Sequence, residues 1–349
     1  MTTRPQSPSP QRLYGSKGSK GSKGQRWWSA LCAGLVGAGV LALGTVPGTA
    51  AAWPERTIRL VVAFPPGGST DLAARIVAEK LSGVLGQQVI VDNKPGASGN
   101  IGAEFVARAA PDGHTLLMAA TSLATSPAFY PALNWSPTKD FAPVSLVATV
   151  PIILVVTPSL PVQNTKQLIE YAKQNPNKLN MASPGAATLT RLSGEMFKLK
   201  AGIEWTTVHY KGGPPAVQDL LGGQTQLMFA NASDVMPHVR SGKLRALAVT
   251  TAKRSDIVPE LPTVDESGLS GFDVSTWQAV LAPAGTPQAV IDRLNAEIVK
   301  IVGTAEVKQK FLLLGTDAAS STADQLGRFI ASEVTAIDKI VKQVGAKIE

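Results

Sequence analysis

One segment, residues 53–71 with the sequence WPERTIRLVVAFPPGGSTD, constrains the fold more than any other. Residues 58–64 form a nearly continuous apolar run rich in β-branched side chains, the pattern of a strand buried on both faces. Pro65-Pro66 stops that strand. Gly67-Gly68 permits a sharp turn and the close approach of another group. Ser69 or Thr70 can cap a following helix, and Asp71 suits its positive first turn. The segment therefore predicts a strand, a glycine turn and a helix whose first amides face the space above the turn. Such amides bind anions without a charged side chain. An ordinary βα connection has the same pattern, so this loop alone leaves both readings open.

The rest of the chain repeats the alternation. Strand-like apolar runs fall at 59–64, 88–91, 115–119, 144–156, 179–182, 206–210, 226–230, 246–250 and 279–282. Helical patterns lie between them, with Leu72, Ile76, Leu81 and Leu85 on one apolar face and Val217, Leu220 and Leu221 on another. Beyond Thr286 the pattern is mostly helical. This order predicts an α/β fold with mainly parallel sheets. Two stretches, near 150–158 and 272–283, are expected crossings between domains. They put residues 53–152 and 277–349 in one lobe and 153–276 in a second. Ligands of open α/β sheets bind beyond the strand C-termini, so a cleft between two such lobes is the natural site.

The first 52 residues have a different character. They hold six basic residues and no acidic one, then an apolar stretch from Trp27 to about Val46, then Ala50-Ala51-Ala52. A basic region, an apolar region and an A-x-A site together predict an export signal peptide, here cleaved near Ala52. Its removal changes the charge argument. Taking those six from 33 basic residues leaves 27, against 25 acidic, so a net charge of +8 falls to +2. The basic balance belongs to the signal, and nucleic acid is not an expected partner. The single cysteine, Cys32, lies in the apolar region without a lipobox pattern before it, so disulfides, thiol chemistry and a lipid anchor are not expected.

Catalytic and cofactor patterns are sparse. His114 follows a Pro-Asp-Gly turn and is expected at the surface; His209 sits in a strand and His238 near the end of a short helix. No histidine pair has metal-ligand spacing, no G-x-S-x-G elbow occurs, and no metal or cofactor is expected. Gly96, Gly99 and Gly102 have the wrong spacing for a dinucleotide fingerprint and read as a tight loop entering a helix. What remains is a set of five Gly-rich, largely uncharged turns: FPPGGSTD, ATSLATSP, SPGAATLTR, HYKGGPPA and FANASD. Backbone amides and hydroxyls from several such turns, converging on one cleft, suit a small anionic ligand.

The same turns carry a family resemblance. WPERTIRLVVAFPPGGSTDLAAR, NKPGASGNIGAE, ARAAPDGHTLL, KDFAPVSLVA, YKGGPPAVQDLLGGQ, SGKLRALAVTTAKRS, LPTVDESGL and LAPAGTP follow one another in order. Together they resemble the substrate-binding proteins of the tripartite tricarboxylate transporters, the Bug family of exported periplasmic receptors. The resemblance implies a type II periplasmic-binding-protein fold, α/β in class, with two lobes, two crossover segments and a ligand cleft. It also implies a small organic carboxylate ligand, a membrane permease partner and a monomeric receptor that does no chemistry. In the loop that carries Phe64 and Asp71 it implies that Pro66, Gly67, Gly68 and Thr70 hold the proximal carboxylate, with help from Ser122 and Thr125. It implies that Thr188, Lys211, Gly212 and Asn231 approach from the other lobe. Leu123, Ser126, Ala186-Ala187, Arg191 and Ala230 depart from the family pattern. Of these, the loss of an acid at Ala230 and the gain of Arg191 would favour a less polar or more anionic ligand, with a solvated helix residue the alternative reading of Arg191. A ligand-presenting component of a membrane sensor kinase and an exported α/β enzyme are the alternative readings.

Overall fold

The structure is a computed structural model that describes residues 53–347. The expected signal peptide and Cys32 lie outside the described residues. The first strand, β1 (Ile58–Val62), runs into the PPGG turn and then helix α1 (Ser69–Leu85). Two further units follow: β2 (Val89–Asn93) with α2 (Asn100–Ala107), and β3 (Thr115–Ala120) with α3 (Ser122–Phe129). The Gly96–Gly102 loop enters α2 through one 3-10 turn, Ala97–Gly99, as its glycine spacing predicts. Strand β1 pairs in parallel with β2 on one side and β3 on the other.

A long strand, β4 (Phe141–Val156), then leads to α4 (Thr165–Gln174) and β5 (Asn180–Ser183). Next come α5 (Leu189–Ala201), β6 (Thr206–His209), α6 (Gly213–Leu221), β7 (Leu227–Asn231), α7 (Ala232–Arg240) and β8 (Arg245–Val249). The chain returns through β9 (Ser275–Pro283). It ends in α8 (Gln288–Gly303), α9 (Ala305–Leu313), the short β10 (Asp317–Ala318) and α10 (Ala323–Val344). The strands join in the order β2-β1-β3-β9-β4-β7-β5-β6, with β8 and β10 also paired to β4.

The expectation of mainly parallel sheets holds for β1, β2 and β3 and for β5, β6 and β7, where helices connect neighbouring strands. It fails at the centre. Strands β4 and β9 run antiparallel to each other over Phe141↔Pro283 to Pro151↔Ser275, and β4 is antiparallel to β7, β8 and β10 as well. The reason is topological: β4 leaves the first half of the sheet and β9 comes back to it, so the pair must run in opposite directions. Strand β4 exchanges β9 for β7 and β8 at Pro151/Ile152, inside the first expected crossing.

Packing follows the strand period of two. Ile152, Leu154 and Val156 enter a core with Phe197, Trp205, Phe229 and Trp277, while Ile153 and Val155 enter one with Ala216, Leu220, Met228 and Val235. Phe197 anchors the first of these, stacked on Trp205 at 5.8 Å and tilted against Phe229 at 5.5 Å. A third core, with Leu60, Val62, Val77 and Leu81, lies between the first half of the sheet and helices α1, α8 and α9. His114 is buried at 3% exposure rather than on the surface, 6.0 Å from the Trp53 ring. Its Pro-Asp-Gly turn was the visible signal; the indole that covers it is 61 residues away in sequence. No described helix is long and apolar enough to cross a membrane.

Candidate functional site

Five helix N-termini line one cleft at the C-terminal ends of the strands. They are Gly68, Ser69 and Thr70 at α1, Ser122 at α3, Thr188 and Thr190 at α5, Gly213 and Pro214 at α6, and Asn231 and Asp234 at α7. Phe64 closes one side, and Thr276, Trp277 and Gln278 of β9 form the floor. The unpaired first amides of a helix make its N-terminus a partial positive charge. The backbone thus offers amide donors to the cleft; among the described residues no cation lines it, and its one charged lining residue is Asp234. About 60 Å³ is open to the centres of water molecules, room for roughly four waters or a short organic acid.

The α1 turn is arranged differently from its sequence expectation. Neither Ser69 nor Thr70 caps α1; Gly68 is the N-cap, and it has no side chain to offer. The Ser69 N–H instead donates to Asp234 Oδ1 at 2.8 Å, across 165 residues of sequence. Burial pushes the Asp234 carboxyl up to about 6, although the Ser69 N–H acts to lower it. The Ser69 hydroxyl accepts from Gln278 Nε2 at 2.7 Å. Beside them Thr276 Oγ1 donates to Asn231 Oδ1 at 2.7 Å, and the Trp277 N–H donates to Thr121 Oγ1 at 2.8 Å. Trp277 is fixed from behind, where its indole N–H donates to Glu333 at 3.0 Å.

Of the expected ligand residues, Phe64, Gly68, Thr70, Ser122, Thr188 and Asn231 line the cleft. The other six do not. Pro66 and Gly67 are exposed and are not among the residues that line the cleft. Asp71 is buried away from the cleft, where it accepts from the Gly67 N–H at 2.9 Å, Asn93 at 2.9 Å and Arg75. Burial acts to raise its carboxyl, but these donors hold it below the ordinary value. Asp71 therefore braces the loop. Thr125 is fully buried and donates to the Ala187 carbonyl, joining α3 to the loop before α5. Lys211 is exposed and lines an adjoining recess with Ser98, Tyr130 and Ala186, which shares Phe64 and Pro184 with the cleft. Gly212 also lies in that recess, at φ +117; a Cβ there would stand 2.5 Å from Pro65 Cδ, so the KGG and PPGG loops touch.

The positions that depart from the family pattern lie outside the cleft. Leu123, Ala187 and Ala230 are in the core. Ser126, within α3, is buried and lines a small recess with Ala63 and Trp135. Arg191 is buried over the Phe129 ring and donates to the Ala186 and Lys347 carbonyls, each at 2.7 Å. They supply no charge to the ligand space, which removes the basis for a more anionic ligand. Sequence reasoning missed Asp234, Thr276, Trp277 and Gln278. FANASD was the visible signal for Asp234; for Gln278 it was one polar residue inside an apolar strand.

The comparisons with known proteins agree with this geometry. The family model described as the tripartite tricarboxylate transporter family receptor matches residues 73–346. The chain is similar to the protein BugT of Bordetella pertussis, 38% identical over 87% of this chain and 94% of that one. It is similar to R. palustris Rpa4515, solved with adipate, at 36% identity and a TM-score of 0.83, covering 85% of this chain and 100% of that one. It is also similar to MatC (Rpa3494) from Rhodopseudomonas palustris, solved with malate, at 31% identity and a TM-score of 0.78, covering 82% and 99%.

Proposed function

Because this chain belongs to the tripartite tricarboxylate transporter receptor family, we propose that it captures a small organic carboxylate in the interlobe cleft and delivers it to a membrane permease. The observation that carries this reading is the convergence of five helix N-termini on a cleft with no lining cation. A carboxylate there takes hydrogen bonds from backbone amides and hydroxyls at the starts of α1 and α3, while α5, α6 and α7 close from the other side. In this reading residues 53–152 with 277–349 form one lobe and 153–276 the other. The chain bends where β4 and β9 pass between them. Ligand favours the closed form because it touches both lobes, and that closed form docks on the permease. Residues 1–52 export the receptor to the periplasm, where it works as a monomer and leaves its ligand chemically unchanged.

A thermal-shift screen of the purified protein against mono-, di- and tricarboxylates and amino acids tests the first step. An acid present at about 1,000 times its dissociation constant stabilises the fold by roughly 4 kcal/mol. At least one acid is expected to do so and to be recovered unmodified. Absence of any shift across the panel contradicts the reading, and turnover of the acid points to an enzyme instead.

A further inference from the structure

Asp234 is the one formally charged residue among those that line the cleft. No described cation lines the cleft to offset it: Lys211 lines the adjoining recess, Arg191 holds two carbonyls, and Arg75 pairs with Asp71. Asp234 uses one oxygen, Oδ1, on the Ser69 N–H, and no described residue donates to the other. Gln278 lines the same space at 2% exposure. Its Nε2 donates to Ser69 Oγ, and its Oε1 is a buried acceptor with no partner. Two spare acceptor oxygens, one of them on a carboxylate, therefore flank a single residue at the start of α1.

A buried acceptor without a donor is costly, and native proteins leave few of them. A second carboxylate brought beside Asp234 would add like-charge repulsion in a site shielded from water. An ammonium group removes both problems. It carries three donors and a positive charge, enough to serve Asp234, the Gln278 Oε1 and a hydroxyl together. A ligand carboxylate then has the amides at α1 and α3 that Asp234 does not hold.

We propose that the ligand is a short carboxylic acid bearing an ammonium group, with Asp234 and Gln278 as the residues that select it. This rests on the cleft being a carboxylate site. The Asp234 carboxyl, at about 6, is ionised at neutral pH and ready to pair with the cation.

Titration calorimetry of the purified protein at pH 7.5 tests the selection with acids matched in skeleton: aspartate against succinate, and alanine against propionate. The amino-bearing member of a pair is expected to bind at least tenfold more tightly. Asp234→Asn keeps the side-chain shape and an acceptor for Ser69; it is expected to collapse that ratio toward one and to raise affinity for succinate. Gln278→Leu is expected to weaken the amino-bearing acid several-fold. Succinate or propionate binding as tightly as its amino partner, or an unchanged ratio in Asp234→Asn, overturns the assignment and leaves the carboxylate receptor intact. Binding of no acid at all defeats the carboxylate site, and this inference with it.

Discussion

Neighbouring residues in the PPGG turn have distinct roles, and their variants separate them. A Cβ on Gly68 would lie 3.4 Å from Pro214 Cδ, and a larger side chain would fill the cleft mouth. Gly68→Val is therefore expected to abolish acid binding in calorimetry while the protein still unfolds cooperatively. Gly67 has open space around it but a φ of +80. Gly67→Ala is expected to cost about 1 kcal/mol of stability through backbone strain, with far less effect on binding. Asp234 gives a prediction in pH. Its folded value near 6 stands above the ordinary 3.8, so ionising it in place opposes folding. That penalty is absent below pH 4, grows between 4 and 6, and is complete above 6, reaching on the order of 2–3 kcal/mol. Asp234→Asn should raise the melting temperature of the ligand-free protein at pH 8 and not at pH 4. A difference that does not depend on pH would contradict the placement of this carboxylate. Asp71 and Asp234 look alike in sequence, each an acid in a helix first turn. Sequence cannot separate the brace from the cleft residue, because the partners that distinguish them, Asn93 and Ser69, come from other elements.

The starts of the helices carry the design at the next scale. Helix α5 is capped by its own Thr188, which accepts from the Arg191 N–H, and α10 opens with a reciprocal capping box of Thr322 and Gln325. Helix α1 has no side-chain cap of its own. Its first amide is held instead by Asp234 of α7. The brace beneath it is Asp71, whose lowered carboxyl contributes stability that is present at neutral pH and lost as pH falls through that lowered value. Asp71→Ala leaves the Gly67 N–H without its acceptor and takes one of two acceptors from the Asn93 amide, which keeps the Phe64 carbonyl. It is expected to cost about 2–3 kcal/mol in denaturant unfolding at pH 7, and less at acid pH. The strands were legible because their apolar runs are long and β-branched: β4, read as 144–156, spans Phe141–Val156. Antiparallel pairing at the centre was not legible, since direction depends on where the chain returns rather than on which residues fill the strand.

For the whole molecule, the halves of the sheet share β4, which pairs with β9 in the first half and with β7 and β8 in the second, and loops from each half touch above the cleft. Pro65 meets Gly212, Ser98 Oγ accepts the Ala187 N–H at 3.0 Å, and Thr125 donates to the Ala187 carbonyl. These contacts bridge the halves of the sheet above the cleft. Six of the twelve expected ligand residues line it, because glycine turns after strands fix where the cleft must be. The other six do not line it, because the face that a turn presents to the cleft depends on how the halves fold together. The account predicts a shift between open and closed populations, so saturating ligand should reduce the radius of gyration in small-angle scattering. The most direct measurement is calorimetric titration of the protein and its Gly68→Val variant with short carboxylic and amino acids, followed by identification of the recovered ligand. The account predicts one-to-one binding of at least one acid, loss of that binding in the variant, and recovery of the acid unchanged. Equal binding by both proteins, or conversion of the acid, would contradict it.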